Sequence, residues 1–306
     1  MQVVWNTIDR DMWDSAHAQA GASLQQDWAY GSCMKAMGVD VLRAIVTHND
    51  QPVALAHFIV RKWLGVLSVA LCWRGRVWLS VLRGVEYSVA YADLKRSLPL
   101  KGLRLVLISP EEERSQALGL SAWRRVMTGY STVLLDISQP LDSLRAQLEN
   151  RWRSNLGSAE QSELTVHRVG TNSGQYRWLL DLDMTQRQER DLEGLPIAFF
   201  DLYAKARHVP AKTILTMRAD LGRDRVAGML FLLHGEAATY QVGWTNEQGR
   251  DLHAHHLLLW SAIEELKARG VRWLDMGGVN TQRSAGVARF KIRTGGRVVT
   301  FAGTYI

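Results

Sequence analysis

The sequence predicts a mixed α/β (α+β) fold made of two tandem domains. Its 306 residues are 47% hydrophobic and 22% charged, which is typical of globular proteins, and this length corresponds to about two domains. Short strand-like runs alternate with segments of helical periodicity in both halves. We therefore predict an N-terminal domain over residues 1–130 and a C-terminal domain over residues 131–306, although no sequence repeat relates the two.

The N-terminal domain is predicted to begin with a short helix and to continue as β-rich sequence. LRAIVTH (42–48) and VALAHFIV (53–60) have strand character and flank NDQP (49–52), which is typical of a hairpin turn. Three further strands and one helix are predicted at 66–71, 77–82, 103–109 and 87–97, respectively. Pro110 and the three glutamates after it predict another helix, because acidic side chains favour a first helical turn.

The C-terminal domain is predicted to begin with the strand TVLLDIS (132–138), followed by a helix with Ser138 as its cap and Pro140 in its first turn. The apolar positions of this helix recur at helical spacing: Leu141, Leu144, Leu148 and Trp152. Strands are predicted at 211–219, 226–234, 237–244, 271–278 and 297–306, with a helix at 252–270.

The segment GVARFKIRTGGR (286–297) is predicted to be strand-like. Because side chains alternate across a strand, Arg289, Lys291 and Arg293 would then share one basic face. Glycines on both sides of Phe290 and Lys291 would let the backbone approach a ligand closely. The Lys291 ammonium could meet a phosphate or a developing oxyanion, so this segment is a candidate binding site.

Charge and cysteine content narrow the class of protein. A net charge of +7 favours anionic partners such as nucleic acid, phosphorylated substrates or a membrane surface. Two cysteines cannot form a disulfide framework, and they favour a reducing, cytoplasmic setting. The N-terminus lacks a signal-peptide pattern, and charges interrupt the most apolar region, 55–82, so no transmembrane segment is expected. A peripheral membrane contact and the oligomeric state remain open.

Several familiar chemistries are not expected. His253, His255 and His256 lack a suitably spaced acidic or cysteine partner, so we interpret them as helix-start histidines and expect no metal site. No nucleophile elbow or phosphate loop is present. The junction NEQGRDLHAHHLLLW (246–260) lacks the R/Q-x-x-G-x-G/A turn of acyl-CoA-binding acetyltransferases, which weighs against a standard acetyl-CoA site. No bound cofactor is expected.

The sequence resembles the FemAB family of bacterial acyl or aminoacyl transferases. Four stretches carry the resemblance: SLQQDWAYGSCMK (23–35), VLLDISQPLDSLRAQLENRWRSNLGSAEQ (133–161), LLLWSAIEELKARGVRWLDMGGVN (257–280) and GVARFKIRTGG (286–296). In order and spacing they extend over most of the chain, and the D-x-G-G…RFK…GG block combined with the arginine-bearing helix after the strand VLLDIS is fairly specific. The resemblance implies two GNAT-type domains. It also implies transfer of an activated aminoacyl group, usually carried by tRNA, to an amine of a peptidoglycan precursor.

The resemblance also implies site residues. Phe290 and Lys291 match the family's phenylalanine-lysine pair, whose lysine is associated with a substrate phosphate and the reacting carbonyl. Lys35 matches a lysine associated with the nucleotide-linked precursor, Tyr240 a strand tyrosine near the acceptor channel, and Arg187 a channel arginine. The family's proline-glycine-proline segment and the aspartate after it are absent from LRGVEYS (82–88), which puts the usual nucleotide-linked precursor in doubt.

The predicted reaction is amide formation from an ester, with aminoacyl-tRNA as co-substrate. No general base emerges from the sequence, so substrate positioning and Lys291 are expected to dominate catalysis. Two alternatives remain open. One is an N-acyltransferase that uses acyl-CoA or an acyl carrier protein, and the other is a non-catalytic nucleic-acid-binding protein, with which the net charge and the twelve tryptophans are compatible.

Overall fold

Each half of the chain is built around one β-sheet in the computed structural model. The structure describes residues 1–64, 66–75, 77–113, 119–189, 191–207, 209, 212–282 and 284–306. Two units form: Met1–Ser131 together with Val299–Ile306, and Thr132–Val298. The mixed α/β class is confirmed. The last eight residues, which the sequence assigns to the C-terminal domain, lie in the first unit.

In the sheet of the first unit, one parallel pair of strands has antiparallel strands on both sides. Its elements are β1 (Gln2–Trp5), α1 (Arg10–Gln19), α2 (Trp28–Ala36), β2 (Asp40–His48), β3 (Gln51–Trp63), β4 (Leu67–Trp73), β5 (Val77–Trp78), α3 (Gly84–Ser97), β6 (Leu103–Ser109) and β7 (Arg125–Met127). β4 and β6 are parallel, whereas β1 to β4 pair successively in antiparallel fashion. α3 packs on one face through Tyr91 and Leu94, and α1 covers part of the other through Trp13.

The second unit carries the larger set of helices. Its elements are β8 (Ser131–Asp136), α4 (Leu141–Gln147), α5 (Asn150–Glu160), β9 (Leu164–Val169), α6 (Ser173–Glu189), α7 (Ile197–Ala204), β10 (Ile214–Leu221), β11 (Asp224–His234), β12 (Ala237–Thr245), α8 (Glu247–Asp251), α9 (Ala254–Ala268), β13 (Trp273–Gly278), α10 (Ala285–Ile292) and β14 (Arg297–Thr300). The strand order is β14-β8-β13-β12-β11-β10-β9. β12 and β13 are parallel, and α9 packs on the sheet through Leu258 and Leu266.

The chain ends with β15 (Thr304–Tyr305), which lies between β6 and β7 in the first sheet. The predicted last strand, 297–306, is therefore two strands in two different sheets. Gly303 has φ +109°, a conformation that favours glycine, and it lies between them.

Strong local signals were predicted correctly. The hairpin of β2 and β3 closes through Asn49 and Asp50, both with positive φ as a type I′ turn requires. The strand predicted at 103–109 is β6. No helix in the described part of the chain has the length and apolar character needed to cross a bilayer.

Other element predictions were wrong. The segment 286–297 is not a strand, because α10 occupies its first part. Residues 111–113 are not helical, and 114–118 lie outside the described residues. The strand predicted at 77–82 shortens to β5. The helix predicted through Trp152 is broken at Leu148, whose ψ of 138° is extended, and the Glu149 N–H donates instead to the Arg293 carbonyl.

Candidate active site

A cavity of about 610 Å³ lies in the second unit, along the part of β12 that β13 no longer pairs with. β13 pairs with β12 only from Ala237 to Thr239. Gln241 is an extra residue in β12 opposite β11, because Leu230 pairs with Val242 and Phe231 with Tyr240. Such a bulge bends a strand and redirects its side chains. The cavity is lined by this half of β12, the α8–α9 junction, α10 and Gln186 of α6.

Lys291 of α10 places its ammonium in the wall of this cavity. Its side chain is buried, with 7% of the residue surface exposed, and its Nζ donates to the Gly278 carbonyl at 2.9 Å. Nζ also lies 5.4 Å from the centre of the Tyr240 ring. Burial lowers the pKa of Lys291 to about 8, and the nearby Asp275 carboxylate partly opposes this shift. The ammonium is therefore charged at neutral pH but gives up its proton more readily than an ordinary lysine.

The Asp275 side chain shapes the end of β13 beneath Lys291. Its carboxylate accepts from the Gly277 N–H at 2.8 Å and from the Thr132 hydroxyl. Gly277 has φ +69°, and a Cβ there would approach the Tyr240 carbonyl at 3.0 Å. The third position of the D-x-G-G pattern, its first glycine, therefore requires glycine for both conformation and space. This turn holds the Gly278 carbonyl where Lys291 donates to it.

Tyr240 is a second polar group of the cavity wall. Its ring packs against Phe231, with 5.4 Å between the ring centres. Its hydroxyl lies over Gly243, where any Cβ would occupy the hydroxyl's position. Burial raises the pKa of Tyr240, with a further contribution from Asp183, so the hydroxyl stays protonated as a donor. It has no hydrogen-bond partner among the described residues.

Three histidines at the start of α9 also line the cavity. His255 Nε2 lies 3.0 Å from the Trp244 carbonyl, so Nε2 carries the proton and Nδ1 is left as an acceptor. The His256 ring contacts Trp152 and Phe290, with 4.8 Å and 5.2 Å between ring centres. Burial lowers the pKa of both His255 and His256 to about 4, so both rings are neutral at pH 7. No cluster in the described part of the chain could hold a metal ion.

The cavity lining has cations but no carboxylate among its described residues. The cations are Lys291 and Arg250, whose guanidinium donates to the Thr245 carbonyl at 3.1 Å. Beside them, Asn246 caps α8 by accepting from the Gly249 N–H at 2.8 Å. The Gly249 N–H is therefore already hydrogen-bonded within this junction, whereas a phosphate-binding turn would leave such an N–H free for its ligand.

The structure brings three of the predicted site residues together and separates the others. Phe290, Lys291 and Tyr240 all line the cavity. Arg187 does not, because its guanidinium pairs with Asp183 at 2.7 Å.

The remaining predicted cations lie elsewhere. Lys35 is exposed near the end of α2, in the first unit. Arg289 is exposed on α10, and Arg293 pairs with Glu149 at 2.6 Å. The shared basic face of Arg289, Lys291 and Arg293 was wrong, because successive residues of a helix turn by about 100°.

Sequence reasoning dismissed the histidines that the cavity contains. His253, His255 and His256 carry no motif, and only the opened end of β12 brings them into the wall. The one available signal was their position at the strand-to-helix junction NEQGRDLHAHHLLLW.

Comparison with known proteins agrees with this architecture. Residues 142–291 match the family model of the acetyltransferase (GNAT) domain. FemX has the same fold, with 14% identity and a TM-score of 0.80 over 100% of this chain and 96% of FemX. A tandem GNAT protein from the clavulanic acid biosynthesis pathway is 10% identical, with a TM-score of 0.54 over 99% of this chain and 98% of that one.

L-PGS from Bacillus licheniformis is 12% identical, with a TM-score of 0.53 over 97% of this chain and 90% of its own. No curated protein sequence matches the chain. At these identities the likenesses establish the fold. They confirm the predicted FemAB-like, GNAT-type fold.

Proposed function

Since the chain carries a GNAT acyltransferase domain, we propose that it forms an amide by moving an aminoacyl group from tRNA to an amine of a cell-envelope precursor or peptide. The observation that carries this proposal is the buried Lys291 ammonium in a cavity without a carboxylate among its described lining. Such a wall favours a substrate that bears phosphates or develops negative charge. The likeness to FemX supports the proposal through the fold.

The reaction begins when the neutral acceptor amine attacks the carbonyl carbon of the aminoacyl ester. The carbonyl oxygen becomes an oxyanion, and the Lys291 ammonium donates to it. Lys291 has three N–H donors and uses one on Gly278, so it has donors left for substrate. One well-placed donor of this kind lowers the barrier by roughly 3 to 4 kcal/mol.

Collapse of this intermediate breaks the carbon–oxygen bond of the ester. The ribose hydroxyl leaves and takes up a proton, and the former amine loses one to water or to a substrate group. Tyr240 remains protonated and orients the substrate as a donor. His255 and His256 line the cavity without adding charge, so the positive potential is concentrated at Lys291 and Arg250.

An acyl-CoA-dependent N-acyltransferase is the second candidate, because the matched family model is an acetyltransferase domain. The capped α8 junction disfavours it, since Asn246 occupies the Gly249 N–H. In this case CoA would raise the melting temperature of the protein and aminoacyl-tRNA would not.

The test is a single-turnover assay with two separate pools, radiolabelled aminoacyl-tRNA and radiolabelled acyl-CoA, each with a cell-extract acceptor. We expect label to move from tRNA into an amide product. Lys291→Ala should slow this step about a hundredfold or more. Arg289→Ala removes an exposed cation from the same helix and should stay within about threefold of wild type.

Each other outcome has a definite meaning. If label moves only from acyl-CoA, tRNA is not the donor, and the proposal that the protein transfers an acyl group still holds. A Lys291→Ala rate within about threefold of wild type removes Lys291 from the transition state. Transfer from neither pool overturns the proposed reaction.

A further inference from the structure

The hairpin between β3 and β4 ends in large exposed apolar side chains. We call Trp63, Leu64, Val66 and Leu103 the hairpin patch; their exposed fractions are 68%, 98%, 59% and 69%. The Val66 N–H donates to the Trp63 carbonyl at 3.1 Å and closes the turn, in which Leu64 has φ +51°. The Leu103 N–H donates to the Val66 carbonyl at 3.2 Å, which holds the start of β6 beside the hairpin.

The hairpin patch continues onto one face of the sheet. Trp63 pairs with Leu67, and Leu67 with Leu103, so these three side chains form a row on the same face. The next row on this face is Arg61, Val69 and Leu105, of which Leu105 is 39% exposed. Solvent-exposed apolar rows of this extent mark an interaction surface.

In the part of the chain that the structure describes, helices contact this face only at the other end of β3. Leu55 packs with Trp13 of α1, and Gly31 of α2 lies against the His57 ring. Beyond His57 the same face continues through Arg61 and Trp63, which are exposed. The opposite face carries the core where Val60 and Ala70 are buried with α3, and its row at the hairpin end is polar, with Lys62 and Arg104 exposed. The exposed rows are therefore not the inner layer of this unit.

Cations border the hairpin patch. Arg61 and Lys101 are exposed, and neither contacts an acidic side chain among the described residues. Arg104 donates to the Leu98 and Arg96 carbonyls, so its charge is not compensated by those bonds. Lys62 pairs with Asp40 at 2.7 Å. The rim is thus net positive.

We propose that the hairpin patch and its rim bind the surface of an anionic lipid bilayer. Exposed tryptophan and aliphatic side chains enter the boundary between headgroups and acyl chains, and flanking Lys and Arg meet anionic headgroups. A second copy of this chain fits less well, because a two-fold contact would bring two positive rims together. This inference is independent of the proposed reaction.

The test is sedimentation of the full chain with vesicles, one set of pure phosphatidylcholine and one containing phosphatidylglycerol. We expect binding to the anionic vesicles that weakens with added salt. The double variant Trp63→Ser/Leu64→Ser should lower the partition coefficient at least tenfold, and Arg61→Glu/Lys101→Glu should lower it for anionic vesicles. Since all four side chains are exposed, the melting temperature should not change.

The matched control is Val81→Ser/Val85→Ser, because Val81 follows β5 and Val85 lies in the first turn of α3, both are exposed, and β5 pairs with the other end of β3. It should bind as wild type. The inference is overturned if wild type ignores anionic vesicles, or if Trp63→Ser/Leu64→Ser binds them unchanged. A dimer that dissociates in that double variant, without lipid binding, would assign the patch to self-association instead.

Discussion

Lys291 holds a charge in a place that disfavours charge. Its pKa in the folded protein is about 8, against an ordinary value of 10.5. Below pH 8 both folded and unfolded chains carry the proton, so the folded state bears the full cost of the buried charge, on the order of 3 kcal/mol. Between pH 8 and 10.5 the folded form is neutral and the unfolded form charged, and the wild type gains stability as pH rises.

We therefore expect Lys291→Met to raise the free energy of unfolding at pH 7 by about 1 to 3 kcal/mol, while removing transfer activity. The gain should shrink as the pH is raised from 8 towards 10.5. Urea unfolding at several pH values measures it, with Arg289→Met as the exposed control. A gain that does not change with pH would show that the ammonium is not destabilising in the folded state.

Asp275 is a positioning residue for Lys291. The variant Asp275→Asn keeps an oxygen for the Gly277 N–H but removes the charge that raises the pKa of Lys291. We expect the pKa of Lys291 to fall below 8. NMR titration of the Lys291 Nζ and Cε signals measures this shift directly. Thr132→Val is the companion variant, since it removes one partner of Asp275 and keeps its charge; an equal shift in both variants would contradict an electrostatic role.

Individual site residues were predictable from the sequence where a motif indicates their chemistry. Phe290 and Lys291 stand out as a basic-aromatic pair between glycines, and they do line the cavity. The sequence alone did not exclude Arg187 from the predicted site. Its ion pair with Asp183 forms because α6 brings residues four apart together, and this pair competes with any ligand.

Elements were predictable where their signals are local. The β2–β3 hairpin and β6 follow from turn residues and continuous apolar runs. α10 was missed because it contains Gly286 and its second half alternates apolar with basic residues, a pattern that also fits a strand. Its helical state depends on tertiary contacts, such as the packing of Phe290 on Trp152 at 5.8 Å between ring centres.

Gly295 lies three residues past the end of α10. It has φ +81°, and a Cβ there would collide with the Gln147 carbonyl at the end of α4. Gly295→Ala should therefore lower the free energy of unfolding by about 1 to 3 kcal/mol, as judged by the urea midpoint. Gly286→Ala lies within α10 with open space around it, so it should be neutral or slightly stabilising. Equal losses in the two variants would refute the conformational argument.

The end of β12 shows what sequence alone cannot supply. AATYQVGW predicts the strand, and β12 (Ala237–Thr245) confirms it. Nothing in that run reveals that pairing with β13 stops at Thr239 or that Gln241 is bulged. Strand separation depends on the partner strand, and the cavity exists because of it.

At the scale of the whole molecule, the first sheet is completed by the last residues of the chain. β15 lies between β6 and β7, and Tyr305 and Ala302 are buried in the core of the first unit. Deletion of residues 301–306 should expose the edges of β6 and β7. We expect amide hydrogen exchange in both strands to increase at least tenfold, as measured by mass spectrometry.

The control for this deletion is Val298→Ser, a change at an exposed residue of β14. It should leave exchange in β6 and β7 as in wild type. If the deleted protein keeps wild-type protection there, β15 is dispensable for the first sheet.

The division of the chain has a consequence for its synthesis. Thr132–Val298 is an insertion within the first unit, which needs residues from both ends of the chain. A ribosome therefore delivers every residue of the inserted unit before the gap between β6 and β7 can be filled by β15. The sheet whose strands are mostly translated first is thus the last to be completed, and until Thr304 and Tyr305 have been synthesised β6 and β7 each present an open strand edge to chaperones.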